Sequence, residues 1–131
     1  MFNKKKQPPI RSLIAEGSHI QGDMRFADGL RIDGSVHGDI RAHEDQPSIL
    51  VISETAKVLG EIHADHVVIN GSIKGPVYAR VMLELQPKAR IEGDIHYAAL
   101  EMHQGAIVAG QLLPTGMAED KPALKLAASN V

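Results

Sequence analysis

The unit apolar-x-Gly-x-apolar occurs six times in this chain, as Ile20-Gly22-Met24, Val36-Gly38-Ile40, Val58-Gly60-Ile62, Ile73-Gly75-Val77, Ile91-Gly93-Ile95 and Val108-Gly110-Leu112. Its glycines are 16, 22, 15, 18 and 17 residues apart, a mean of 17.6. Self-similarity of this kind is the mark of a solenoid, in which each repeat contacts only its neighbours and none buries its apolar face alone. With 12 glycines in 131 residues, chance would supply one or two such units, not six across most of the chain.

Apolar and polar residues alternate around each glycine, a period of two that belongs to a strand and not to a helix. At a rise of about 3.3 Å per residue, roughly 17 residues close a short circuit of about three strands joined by corners. The pairs Asp28-Gly29, Asp33-Gly34 and Asn70-Gly71, together with Pro87, supply the left-handed or fixed dihedrals that corners need. Stacking these circuits predicts an all-β fold, a parallel β-helix of about six rungs. One inward column is expected at Ile20, Val36, Val58, Ile73, Ile91 and Val108, and a second at Met24, Ile40, Ile62, Val77, Ile95 and Leu112. The rung glycines Gly22, Gly38, Gly60, Gly75, Gly93 and Gly110 share this parity and are expected to point inward, where the backbone bends too tightly for a side chain.

The outward positions are charged. Asp23, Asp39, Glu61, Pro76, Asp94 and Gln111 directly follow the glycines, and Arg25, Arg41, His63, Tyr78, His96 and Leu113 stand three residues after them. Four of the first set are acidic and four of the second are Arg or His, so stacking places an acidic column beside a basic one. That relieves like-charge repulsion between rungs and reads as a solvated face, not as a metal or catalytic ladder.

Charge also divides the chain. Residues 1–12 carry Lys4, Lys5, Lys6 and Arg11 and no acid, a local charge of +4, while the remaining 10 basic and 16 acidic residues give −6. A basic arm, residues 1–12, thus precedes a β-helix domain, residues 13–117. From Ala118 to Val131 the chain has Pro122, small residues and no sustained alternation, and both ends are expected to be disordered. No apolar segment follows the charged start, so no secretory signal is expected. Apolar runs such as Ile49 to Ile52 fall far short of the roughly 20 residues a membrane helix needs. The chain has no cysteine, which excludes disulfides and thiolate metal sites and fits a reducing cytoplasm.

Chemistry has few footholds. With a net charge of −2 and four Phe and Tyr in total, the chain offers neither a basic field nor a stacking platform for nucleic acid. His63 and His66 are expected to face opposite sides of one strand, and His19, His37, His43 and His103 to stand apart from the acids. Asn70-Gly71-Ser72 matches a glycosylation acceptor but reads as a turn. No phosphate-binding glycine loop, nucleophile elbow or zinc-binding helix motif occurs, so no catalytic residue, metal ligand or cofactor is expected.

The glycine-centred rungs from about Leu13 to Met117, preceded by Met1-Phe2-Asn3-Lys4-Lys5-Lys6, resemble the bactofilins, bacterial cytoskeletal proteins. The resemblance implies a right-handed β-helix of triangular section. It also implies nucleotide-independent assembly into non-polar filaments that scaffold cell-wall machinery or cell shape at the membrane.

Polymerisation is reached independently from the ends of the solenoid. Terminal rungs leave backbone donors and acceptors without a neighbour, so such folds normally carry polar caps. Here the first rung opens on Leu13 and Ile14, shortly after Pro8 and Pro9, and the last holds Val108, Leu112 and Leu113 with no amphipathic helix after it. These five residues are the expected polymerisation interface, with the tails folding over the ends as the alternative. At the N-terminus, Met1, Phe2, Lys4, Lys5 and Lys6 form the expected membrane foot: the Phe2 ring enters the headgroup boundary, and each lysine adds about 1 kcal/mol near an anionic leaflet. The expected partners are further copies of the chain, the inner face of the cytoplasmic membrane and cell-wall enzymes or shape proteins. Two other functions are compatible with a solenoid, a left-handed β-helix acyltransferase and a binding module that does not polymerise. The acyltransferase signature repeats every six residues, whereas the spacing here drifts from 15 to 22.

Overall fold

The computed structural model describes residues 8–115, and every regular element among them is a β-strand. A lone strand, β1 (Ile10–Ile14), leads into five complete turns. The first holds β2 (His19–Gln21), β3 (Met24–Phe26) and β4 (Asp28–Ile32), and the second β5 (Ser35–His37), β6 (Ile40–Ala42) and β7 (Ser48–Ile52). β8 (Lys57–Leu59) with β9 (Ile62–Ile69) makes the third turn, and β10 (Ser72–Lys74) with β11 (Val77–Leu85) the fourth. The fifth holds β12 (Arg90–Glu92), β13 (Ile95–Tyr97) and β14 (Leu100–Met102), and β15 (Ile107–Ala109) and β16 (Leu112–Pro114) begin a sixth.

Every pairing is parallel and joins a strand to its equivalent one turn on, which stacks the chain into a three-faced solenoid. The first face is the six-stranded sheet β2-β5-β8-β10-β12-β15. The second carries β3, β6, β13 and β16, and the third β1, β4, β7 and β14. β9 and β11 cross both and merge them into one ten-stranded sheet.

Both expected inward columns form in register, from Ile20 over Val36, Val58, Ile73 and Ile91 to Val108, and from Met24 over Ile40, Ile62, Val77 and Ile95 to Leu112. Their middle members are 0–1% exposed. The third face adds two more inward rows that the glycine unit does not mark. Leu30, Leu50, Val67 and Leu83 form one, and Ile32, Ile52, Ile69 and Leu85 the other, all buried. Burying each such side chain contributes about 1.5–3 kcal/mol, so the solenoid is stabilised by columns and not by any single turn.

The uneven repeat length has a simple cause. Between the first and second faces every corner is two residues long, a glycine and its successor. Between the third face and the next turn the corner is either a short Asp33-Gly34 or Asn70-Gly71 step or a four-residue turn, closed for example by Ala56 N–H donating to the Ser53 carbonyl at 3.0 Å. The loop 43–47 between β6 and β7, together with the four-residue corner 53–56, accounts for the 22-residue turn. Constancy at one corner makes the repeat visible, and variability at the other two makes it drift.

Three expectations need correction. The rung glycines do not point inward: they adopt positive φ, and a Cβ on Gly38 or Gly60 would run into the carbonyl of the glycine one turn earlier, along the solenoid axis. The first strand begins at Ile10, not Leu13, because Ile10 pairs with Gly29, whose missing side chain lets the backbone of Pro9 and Ile10 approach. His63 and His66 do not lie on opposite sides of one strand, since β9 bends at Asp65 and puts them on different outer faces.

Candidate assembly surface

Among the described residues, three strands at each end have no outer neighbour: β1, β2 and β3 at the start, and β14, β15 and β16 at the finish. The inward columns become half bare there. Ile20 and Val108 are only partly buried although the residues between them are sealed. Of the seven exposed large hydrophobics, five (Ile10, Leu13, Met102, Ile107 and Leu112) stand on these edge strands, while Leu59 and Val81 lie on the sides.

The five residues expected at the ends divide between them. Leu13, 57% exposed, points outward beside Arg31, and Ile14 closes the core over Ile32. At the other end Val108 covers Ile91, Leu112 covers Ile95 while remaining 44% exposed, and Leu113 extends the outer row beyond His96. Met1, Phe2, Lys4, Lys5 and Lys6 lie outside the described residues.

The sides carry two ladders that the sequence only partly announces. In the acidic column, Asp23 Oδ1 accepts the Asp39 N–H, Asp39 Oδ1 that of Glu61, and Asp94 Oδ1 that of Gln111, each at 2.9 Å. The charged row is therefore also a series of corner caps. Proline at position 76 has no N–H to offer, and Glu61 below it turns to Arg41 at 3.4 Å and His63 at 3.0 Å. In the neighbouring row His63, Tyr78 and His96 stack, with ring centroids 4.3 and 4.4 Å apart and planes within 13°. On the third face, His103 does not stand apart from the acids. Its Nε2 lies 3.1 Å from Glu84 and 3.6 Å from Glu101, residues 19 and 2 positions away that only the strand register brings together.

At the corner after β4, the Ser53 hydroxyl and then the Arg31 guanidinium, 2.9 Å away, hold the Asp33 carboxyl below the usual range for aspartate.

A parallel β-solenoid whose described residues end in apolar edge strands on both sides is the class of protein this geometry defines. The family model for bactofilins, described as polymer-forming cytoskeletal, matches residues 12–113. The chain belongs to the bactofilin family, a structural family of polymer-forming cytoskeletal proteins. Neither the curated proteins nor the solved structures contain a significant match.

Proposed function

We propose that this bactofilin assembles by stacking its terminal turns end to end, without nucleotide, into a cytoskeletal filament at the inner face of the cytoplasmic membrane, where it scaffolds cell-wall or cell-shape machinery. The observation that supports assembly is the burial gradient along the inward columns, sealed in the middle and open at both ends of the described residues. A second subunit supplies the missing neighbour. It pairs the free edge of the terminal strands and covers Leu13, Ile14, Val108, Leu112 and Leu113. Covering a half-exposed leucine adds about 1 kcal/mol.

The membrane foot rests on Met1, Phe2, Lys4, Lys5 and Lys6. One such arm is a weak, reversible anchor, but a filament displays many, and multivalency turns weak arms into firm attachment. Among the described residues no helix is long and apolar enough to cross a membrane.

Negative-stain microscopy of purified full-length protein without nucleotide tests assembly: filaments are expected, and a sample that stays monomeric at high concentration refutes it. Co-sedimentation with anionic liposomes tests the foot. Phe2→Arg is expected to weaken binding strongly, and unchanged binding removes Phe2 from the anchor.

A further inference from the structure

We propose that Glu84, Glu101 and His103 form a site for one divalent transition-metal ion of the zinc type, on the outer side of the third face. Glu84 and Glu101 are direct cross-strand partners on β11 and β14, and His103 follows β14. Their ligand atoms all lie within 4.8 Å of one another. Bonds of about 2.0–2.1 Å in a tetrahedral shell separate neighbouring ligand atoms by about 3.3 Å. His103 Nε2 stands 3.1 and 3.6 Å from the two carboxylates, so two of the three edges already have that length.

Charge argues in the same direction. Like charges directly opposite on adjacent strands destabilise a sheet. Where acids stack at Asp39 and Glu61, Arg41 bridges them at 3.6 and 3.4 Å. At Glu84 and Glu101 no Lys or Arg forms an ion pair with either among the described residues, and an imidazole takes the bridging place. Imidazole with carboxylates suits zinc-like ions, whereas calcium and magnesium prefer oxygen alone. Gln86 Nε2 donates to Glu84 Oε2 at 3.3 Å and helps fix that carboxylate, as outer-shell groups do in metal sites. All three side chains remain partly open to solvent, which leaves an entry path. A bound ion would clip the fourth turn to the fifth beside the free edge of β14. Nothing in this proposal depends on filament formation.

Equilibrium dialysis of the full-length chain against Zn²⁺, read as metal per chain, applies whether or not the protein has assembled. One ion per chain is expected, with affinity falling about tenfold or more in both Glu101→Gln and His103→Gln. His63→Gln, which alters the other His–Glu contact, is expected to leave it unchanged. Each protein serves as its own reference: zinc is expected to raise the melting temperature of the wild type and of His63→Gln above the value with a chelator, and to raise that of either site variant much less. Absence of stoichiometric binding overturns the proposal. So does binding equal in wild type and His103→Gln, or Mg²⁺ binding as tight as Zn²⁺.

Discussion

Asp39 takes the backbone N–H of Glu61 on its Oδ1 at 2.9 Å, one turn along the solenoid. That N–H sits in the two-residue corner between the first and second faces, outside any strand, and a carboxylate from the preceding turn satisfies it. Leaving a donor without its partner costs about 1–3 kcal/mol. Asp39→Ala is therefore expected to lower stability by that amount, whereas Asp39→Asn, which keeps an acceptor oxygen, should lose much less. Urea unfolding of both variants checks this, and equal losses would show that the cap is incidental.

The glycine column allows a paired test. Gly60 has φ +148° and its Cβ would collide with the Gly38 carbonyl, while Gly17 has φ +93° and open space around it. Gly17→Ala should show only the dihedral strain, about 1–2 kcal/mol. Gly60→Ala should lose clearly more, because the collision adds to the strain. Equal melting temperatures for the two variants would contradict the close stacking of corners.

The number of turns, both inward columns and the all-β class were legible in the sequence because the first corner has the same length in every turn. The direction of the glycines was not. Side-chain parity applies to extended residues, and a residue with positive φ leaves that rule, so Gly38 and Gly60 point along the axis. Ile10 falls with the arm in the sequence because its partner, Gly29, offers no apolar signal. The grouping of Glu84, Glu101 and His103 depends on register across a corner of variable length, which spacing alone does not encode. The caps were visible as an acidic row, but their backbone partners were not.

The ring stack makes a third prediction. Tyr78 contacts both His63 and His96, and each aromatic pair contributes about 0.5–1.5 kcal/mol beyond its buried area. Tyr78→Ala is expected to lose at least about 1 kcal/mol, and Tyr78→Phe, which retains the ring, far less. Thermal unfolding of the two variants separates stacking from loss of the hydroxyl.

Acid should expose Asp33. Its folded-state pKa is lowered by Ser53 and Arg31, so its contribution is present above the ordinary aspartate range and is lost as pH falls through the folded value. Asp33→Asn should reduce stability at neutral pH and flatten the acid limb of the stability curve. An acid limb identical to that of the wild type would remove Asp33 from the linkage.

Leu112 and Leu59 give the most direct test of end-to-end stacking. Both are exposed leucines, at 44% and 40%, but Leu112 lies on the open strand β16 and Leu59 on the side of the solenoid. Electron microscopy with sedimentation of Leu112→Arg and Leu59→Arg, each compared with wild type, separates the two surfaces. Short soluble species for Leu112→Arg and full-length filaments for Leu59→Arg are predicted; long filaments from Leu112→Arg would contradict assembly through the terminal turns.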